Sequence, residues 1–201
     1  MAGQPPLIGV TGAIGVGKST VLQAFALRGC ACLSADAVVH TLYHQARVRD
    51  AVVARFGDGI LDEHGEVDRR ALGRAAFADA DAHAWLEQLI HPLVAEHMRQ
   101  WLAEAQLREP APPLVVYESP LLLEAGLRDV FDRVLLIVAD EAVRRERLAA
   151  RGALTRLEER ERRMWPEEQR RAAADDVIEN TGTPDELQRA VDAYIARYAG
   201  A

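Results

Sequence analysis

A short glycine-rich stretch ending in a lysine and a serine carries the clearest chemical signal in the sequence. Gly12 is followed, after four residues, by Gly17, Lys18 and Ser19, which is the spacing G-x-x-x-x-G-K-[ST] of a phosphate-binding loop. In such a loop, backbone N–H groups surround a phosphate, the lysine reaches the terminal phosphates and the hydroxyl ligates Mg²⁺. We expect Mg²⁺ at Ser19. The predicted nucleotide-binding residues are Gly12, Ala13, Ile14, Gly15, Val16, Gly17, Lys18, Ser19 and Thr20.

Lys18 also stands out by composition. It is the only lysine among the 24 lysine and arginine residues of the chain. A lysine ammonium is a compact point charge, whereas a guanidinium is planar, wide and forked, so arginine does not fit the same socket. Position 18 therefore has a requirement that arginine does not meet. This observation supports the prediction of a phosphate-binding loop independently of the motif.

The residues on either side of the loop predict the elements that hold it. The apolar run at 7–10 is typical of a buried parallel strand. Residues 19–29 predict a helix that ends at Gly29. Its expected buried face is Val21, Leu22, Phe25 and Ala26. Strand, loop and helix in this order are the arrangement that a phosphate-binding loop needs.

Four further apolar runs predict the rest of a sheet. They lie at 30–34, 113–119, 133–139 and 175–180, and turn or helix signals follow them. This alternation predicts an α/β fold with a parallel five-stranded sheet wrapped by helices. Cys30 and Cys32 lie two residues apart on the second strand, where a disulfide is at the limit of reach, so we expect two reduced structural thiols.

Residues 37–110 interrupt this rhythm, because they contain only helical patterns. A helical excursion of this length is too long for a simple crossover and predicts a substrate-covering insertion. Pro92 lies inside the second apolar stripe and is expected to kink or split that helix. We expect His97 to be a core histidine and His91 to form a turn.

Residues 144–171 contain ten arginines and six glutamates. One interpretation is a solvated helical pair with Glu–Arg contacts at i,i+4 spacing. The other is a lid whose arginines neutralise charge during phosphoryl transfer. With a phosphate loop upstream we favour a lid in which only some arginines act, and Arg147 and Arg151, one helical turn apart, are the predicted ones.

Length and charge bound the remaining possibilities. The 201 residues carry a net charge of −7, and 49% are hydrophobic, which favours one domain and argues against general nucleic-acid binding. We expect a core at 1–36, 111–143 and 172–201, the insertion at 37–110 and the lid at 144–171. The N-terminus lacks a basic-then-apolar signal and no apolar run approaches 18 residues, so we expect a cytoplasmic protein without membrane contact.

Two large classes of nucleotide-binding protein are disfavoured. GTPases carry D-x-x-G and N-K-x-D; residues 62–65 match the first, but no N-K-x-D occurs. Motor and transport ATPases need a long apolar strand ending in Asp together with sensor or signature elements, and this combination is absent. An insertion after the second strand and an arginine-rich segment before the last are instead the layout of nucleoside and nucleotide kinases.

Within that group the sequence resembles the dephospho-CoA kinase family from about residue 7 to 198. The resemblance is carried by "LIGVTGAIGVGKSTV", "LSADAVVHTLY", "FGDGILDEHGEVDRRALGRAAFAD", "LIHPLV", "ESPLLLEAGL" and "RRAAADDVIENTGT". Ser34 stands where the family usually has the first acid of a D-A-D segment, which leaves Asp36 as the matching carboxylate. His40 occupies a place that is often arginine. The order and spacing of these pieces together are specific.

The resemblance implies an activity and its partners. It implies ATP-dependent phosphorylation, with Mg²⁺, of the ribose 3′-hydroxyl of dephospho-CoA, the last step of coenzyme A synthesis. It implies a three-layer kinase fold, dephospho-CoA as a small-molecule partner, and no nucleic acid or membrane. We expect a monomer or a weak homo-oligomer. Another nucleoside or nucleotide kinase and a non-catalytic nucleotide switch stay open as alternatives.

Two residue roles have competing interpretations. Asp36 follows the second strand, at the sheet edge where parallel sheets bind ligands, and could orient or deprotonate the attacking hydroxyl. From the residues alone a helix N-cap is equally plausible; the family resemblance favours catalysis. Asn180 and Gly182 follow the last strand and are predicted to contact adenine, with an ordinary helix-start turn as the alternative.

The lone lysine yields a direct test. Lys18→Arg keeps the charge and is expected to keep the fold, but to lose most phosphoryl transfer because the forked guanidinium does not fit the socket. Steady-state rates and thermal unfolding of the variant measure the two effects separately. Near-normal turnover would contradict the argument from composition.

Overall fold

The described residues, 4–150, 152 and 163–199 of a computed structural model, contain a five-stranded parallel sheet. The spatial order of the strands is β2-β3-β1-β4-β5, so the predicted α/β fold class is confirmed. The strands are β1 Leu7–Gly12, β2 Ala31–Ser34, β3 Val115–Glu118, β4 Arg133–Val138 and β5 Asp176–Glu179.

The register brings the functional ends of the strands to one edge. In the centre of the sheet, Val10 of β1 lies beside Glu118 of β3 on one side and Leu135 of β4 on the other. Ser34 of β2 lies beside Glu118. Because the strands are parallel, their carboxyl ends share this edge, which is where open α/β sheets bind ligands.

Two helices cover one face of the sheet. These are α1, Lys18–Ala26, and the last helix, α8, Pro184–Tyr198. Val21, Ala24 and Phe25 of α1 pack in one buried cluster with apolar residues of α8 and of the strands. Ala26, expected on this face, is exposed and α1 ends there; its predicted burial is wrong, because a 3.6-residue period starting from Val21 returns at positions 24 and 25.

The opposite face is covered by the chain between β3 and β4. A short 3₁₀ helix, Arg128–Val130, lies in this connection, and the ring of Phe131 after it stacks on Tyr117 with centroids 5.9 Å apart. A Cβ added to Gly9 would lie 2.7 Å from Leu122 Cδ1. The side chains therefore approach the central strand closely, and glycine is required there for packing.

Residues 35–101 form a second compact unit, helical as the sequence predicts. Its helices are α2 Ala35–Tyr43, α3 Ala46–Phe56, a 3₁₀ turn Asp58–Ile60, α4 Arg69–Phe77 and α5 Ala80–Gln106, which continues beyond the unit. Leu61 and Val67 form an isolated antiparallel bridge.

Pro92 does not split α5, which runs through it as one helix. Proline removes one backbone donor, and the long helical segments on both sides are retained. His91 is exposed inside this helix, so the predicted turn is wrong, and His97 is half-buried and does not lie in the core. None of the described helices is both long and apolar enough to cross a membrane.

The arginine-rich segment is described only in part. Helix α6, Glu141–Ala150, follows β4, and α7, Glu167–Ala173, precedes β5. Arg151 lies outside the described residues, as do residues 153–162. The N-terminal part of the predicted lid is therefore the second half of a regular helix that follows β4.

Both cysteines are free thiols, as the sequence predicts. Cys30 is buried and Cys32 half-buried. Burial raises the pKa of the Cys32 thiol to about 12, so this group stays protonated near neutral pH. A protonated thiol is a poor nucleophile, which is consistent with a structural role.

At the amino ends of the strands a polar cluster joins β4, β5 and α8. Asp176 accepts hydrogen bonds from Arg133 Nε at 2.8 Å and from the Tyr198 hydroxyl at 2.9 Å. The Arg133 guanidinium also lies over the Tyr198 ring, 4.6 Å from its centroid. Burial by itself raises the pKa of Asp176, but these hydrogen bonds outweigh it and hold the pKa below the usual range of a carboxyl.

We expect Asp176→Asn to lower the free energy of unfolding at pH 7 by about 2 kcal/mol, because hydrogen bonds to a buried charge are weakened. A depressed folded-state pKa stabilises the fold above the unfolded value of about 3.9, and this contribution disappears as pH falls through the folded value. Urea unfolding at pH 7 and pH 3 measures the free energy of unfolding of both proteins. The difference between wild type and variant should be smaller at pH 3.

Asp50→Asn is the control for this measurement. Asp50 is exposed and pairs with the neighbouring Arg49 at 3.0 Å, and exposed ion pairs add little stability. The control should unfold like the wild type at both pH values. If the difference in free energy of unfolding between wild type and Asp176→Asn is the same at both pH values, the electrostatic explanation is contradicted.

Candidate active site

The glycine-rich stretch joins β1 directly to α1, as its motif predicts. We call residues 12–19 the phosphate loop. Gly15 and Gly17 have φ values of +83° and +92°, a region that residues with a Cβ rarely adopt. The Lys18 ammonium donates hydrogen bonds to the carbonyl oxygens of Gly12 at 2.9 Å and Ala13 at 3.2 Å. The lysine therefore folds back along the mouth of the loop.

A buried carboxylate that the sequence analysis missed lies beside Lys18. Glu118 ends β3, and its Oε1 is 3.9 Å from Lys18 Nζ, with both side chains about nine-tenths buried. Its Oε2 accepts a 2.7 Å hydrogen bond from the Ser34 hydroxyl at the end of β2. The signal for it in the sequence is a lone acid at the end of the apolar run "LVVYE".

Side chains from two other elements hold the outer side of the loop. Arg144 of α6 is 9% exposed, and its Nε donates to the carbonyl oxygen of Ile14 at 3.0 Å. The buried Asn180, after β5, donates from Nδ2 to the carbonyl oxygen of Val16 at 2.8 Å. Arg147 Nη1 is 3.5 Å from the same oxygen. The structure thus brings the predicted Arg147 to the loop and adds Arg144, which was not predicted.

The turn after β5 contacts the phosphate loop and starts the last helix. The Asn180 amide donates to the loop carbonyl of Val16 at 2.8 Å, so its side chain supports the phosphate loop. Thr183 and Glu186 form a capping box that starts α8. A Cβ on Gly182 would lie 2.1 Å from Glu186 Oε2, so a larger residue here would displace the carboxylate of the capping box. The turn thus starts a helix, as the alternative interpretation proposed.

Asp36 is not the N-cap of α2. The helix begins at Ala35, and Asp36 lies exposed in its first turn, so the capping interpretation is wrong. A carboxylate in a first helical turn interacts favourably with the helix dipole. Its exposed position leaves the carboxylate accessible to a ligand.

Two further features complete the site as described. Ser19 and Thr20 are exposed at the start of α1, where the free backbone N–H groups of a helix favour anions. A cavity of about 260 Å³ lies at the carboxyl ends of β4 and β5. It is lined by Val138, Ala139, Asp140, Glu141, Glu167, Arg171, Glu179 and Thr181.

The phosphate loop and its flanking elements have counterparts in known proteins. The profile of the dephospho-CoA kinase family matches residues 6–186. The chain belongs to this family. The kinase is 40% identical to dephospho-CoA kinase of Methylococcus capsulatus. The alignment of 197 residues covers 96% of each chain. It is 37% identical over 194 residues to the Geobacter sulfurreducens enzyme, covering 95% of this chain and 98% of that one.

A solved structure has a similar fold. The kinase superposes on the crystal structure of TT1252 from Thermus thermophilus with a TM-score of 0.81 and 34% sequence identity. The match covers 98% of this chain and 100% of that one. The family resemblance seen in the sequence is therefore confirmed, and the family implies ATP as the phosphate donor.

Glu118→Gln tests the carboxylate beside Lys18. The substitution keeps the shape of the side chain and removes a negative charge near the phosphate site. Metal-free ATP should bind no more weakly, and up to about tenfold more tightly, because like-charge repulsion is lost. Turnover should fall at least about tenfold, because the ammonium loses the partner that restrains it.

Calorimetry of ATP binding without divalent metal and steady-state rates measure the two quantities. Glu96→Gln is the control, since Glu96 is a partly exposed carboxylate of α5 that pairs with Arg99 and Gln100. Weaker ATP binding together with unchanged turnover would show that Glu118 only supports the fold.

Proposed function

We propose that the kinase transfers the γ-phosphate of ATP to the ribose 3′-hydroxyl of dephospho-CoA, which gives coenzyme A and ADP. The observation that carries the proposal is the phosphate loop with Lys18 at its mouth, in a chain that matches the dephospho-CoA kinase family over residues 6–186. A loop of this type binds the phosphates of a nucleotide through its backbone N–H groups.

Within this proposal the loop and Lys18 bind the phosphates of ATP. Lys18 would exchange its carbonyl partners for the β- and γ-phosphate oxygens, and its charge would stabilise the negative charge of the transition state. The backbone N–H groups of residues 13–20 would supply further hydrogen-bond donors to the phosphates, and these donors are uncharged.

We also propose Mg²⁺ at Ser19. No group of three or more His, Cys, Asp and Glu side chains in the described ranges could hold a metal ion. This fits Mg²⁺ in a nucleotide kinase, because Mg²⁺ is usually held by one or two protein groups, several waters and the substrate phosphates. The exposed Ser19 hydroxyl suits that role, and bound Mg²⁺ would neutralise charge on the phosphates.

Asp36 is proposed to accept the proton of the attacking 3′-hydroxyl or to orient it. Its carboxylate is exposed and follows the strand that ends at Ser34. Ser34, the last residue of that strand, is hydrogen-bonded to Glu118 beside Lys18. A general base must reach the hydroxyl within hydrogen-bond distance.

Arg147 and Arg151 are proposed to neutralise charge that develops on the phosphates. Arg147 supports this assignment through its guanidinium, which lies 3.5 Å from the Val16 carbonyl oxygen. The adenine base is proposed to lie at the turn of residues 180–182, next to the cavity of about 260 Å³ that Thr181 lines. Acidic groups in that lining can accept hydrogen bonds from the exocyclic amino group of adenine.

The remaining proposals concern assembly and location. The exposed large apolar residues of the described chain lie in different segments, as is common on monomer surfaces; they are Leu27, Phe77, Leu107, Val130 and Val177. We therefore propose a monomer or a weak homo-oligomer. We propose a cytoplasmic location because ATP is the donor. Light scattering tests the assembly directly.

A coupled assay tests the function. ATP is combined with dephospho-CoA, with a panel of nucleosides and with nucleoside monophosphates, and ADP release is followed. Only dephospho-CoA should support fast turnover, with a product that carries one phosphate more. Faster turnover with another acceptor would assign a different kinase activity, and nucleotide binding without any turnover would assign a switch.

Asp36→Asn tests the proposed base. We expect kcat to fall by about 10² or more, the usual scale for a positioned acid–base group, with an unchanged Kd for ATP. Asp81→Asn is the matched control, because Asp81 also lies in the first turn of a helix, α5. Both variants lose a similar helix-dipole interaction, so a loss of stability without a loss of kcat in Asp36→Asn would contradict the catalytic role.

A further inference from the structure

The outer side of the phosphate loop is fixed by a buried arginine. Arg144 is 9% exposed, which is unusual for a residue type that is almost never fully buried without a specific interaction. Its Nε donates a 3.0 Å hydrogen bond to the carbonyl oxygen of Ile14. The guanidinium therefore holds the backbone of the loop by its outward-pointing carbonyl group.

Because a peptide group is planar, this contact with the carbonyl oxygen also fixes the N–H on the opposite side of the peptide, which faces the phosphate. The C=O of Ile14 and the N–H of Gly15 belong to one trans peptide group, and they point in opposite directions. A donor that holds the Ile14 oxygen therefore also holds the direction of the Gly15 N–H. By the same geometry, Asn180 Nδ2 on the Val16 oxygen at 2.8 Å fixes the Gly17 N–H.

These two peptides need such support because each ends in a glycine. Gly15 and Gly17 have positive φ values, and glycine has more conformational freedom to lose than any other residue. An unsupported loop would lose that freedom only when the nucleotide binds, which weakens binding. A loop that is already fixed avoids this loss.

Helix α6 holds Arg144 rigidly enough for this purpose. A Cβ added to Gly15 would lie 3.1 Å from Leu148 Cγ and 3.2 Å from the Arg144 carbonyl oxygen. The helix thus packs directly against the loop, so the guanidinium and the loop backbone belong to one packed layer.

We propose that Arg144 is a positioning residue for nucleotide binding, which holds the Ile14–Gly15 peptide so that its N–H is directed at a bound phosphate. It acts through the backbone and makes no contact with the phosphate. The inference rests on the proposed function only for the identity of the ligand, ATP. Asn180 is the second anchor, at the Val16–Gly17 peptide.

Three variants test the assignment. Arg144→Met keeps an unbranched side chain in the packed layer and removes the donor, Arg144→Lys restores a donor, and Arg145→Met is the matched control. Arg145 is the next residue in α6, is exposed, and pairs with Glu141 at 3.1 Å. Affinities for ATP and for inorganic tripolyphosphate are measured by calorimetry, and the affinity for adenosine by NMR titration, at a temperature where circular dichroism shows each variant folded.

In Arg144→Met we expect the Kd values for ATP and tripolyphosphate to rise about tenfold, the scale of one lost hydrogen bond to a buried group. The Kd for adenosine should not change, because adenosine makes no use of the loop. Arg144→Lys should recover part of the loss, and Arg145→Met should bind like the wild type. A residue that only stabilised the fold would lower the unfolding temperature and leave all three affinities unchanged.

Wild-type affinity for ATP in folded Arg144→Met overturns the proposal, and so does an equal loss for adenosine. If Arg144→Met does not fold, Arg144→Leu, which also removes the donor, decides, with weaker tripolyphosphate binding at unchanged adenosine binding as the supporting result and unchanged binding of both as the contrary one. These measurements involve no dephospho-CoA. A wild type that binds ATP but does not phosphorylate dephospho-CoA would therefore overturn the proposed function without overturning this inference.

Discussion

A backbone loop can bind phosphate only if its N–H groups point inward, so that its carbonyl groups point away from the phosphate. In this kinase the carbonyl oxygens of Gly12 and Ala13 accept from Lys18, and those of Ile14 and Val16 accept from Arg144 and Asn180. Each of these carbonyl groups therefore has a side-chain donor. The loop is short and glycine-rich, so its conformation depends on these neighbours more than on its own residues.

The sheet provides the frame in which those neighbours meet. Every residue of β1 is buried, and the strand is paired on both sides, with β3 and β4. This fixes the start of the loop at Gly12. The connections after β4 and β5 then deliver α6 and Asn180 to the same edge, because all five strands run in one direction. Parallel topology is thus what brings distant segments to one phosphate site.

The positive charge of Lys18 is compensated by groups at the same edge of the sheet. A largely buried ammonium is unfavourable unless polar groups replace its water. Two loop carbonyls and Glu118 do so for Lys18, and Ser34 orients Glu118. A separate set of polar contacts around Asp176 stabilises the opposite end of the sheet. The Asp176 cluster and the groups proposed for chemistry are therefore at different ends of the strands.

The sequence alone determined the features that depend on local pattern. Five apolar runs, the spacing around Lys18 and the helical periodicity of residues 37–110 were sufficient for the fold class and the family. Local pattern was insufficient for Pro92, where the helix continues, and for Ala26, because the buried face that includes Val21 returns at positions 24 and 25. Asp36 likewise needed the observed start of α2 before its capping role was excluded.

Only the tertiary structure decided which residues support the phosphate loop. Glu118, Arg144 and Asn180 reach the site from β3, α6 and the turn after β5, and each lies about a hundred residues or more from the loop along the chain. A sequence pattern records spacing along one element, whereas these contacts depend on the order of the strands in the sheet and on helix packing. An arginine that is buried against the loop is, in sequence, indistinguishable from its exposed neighbour Arg145.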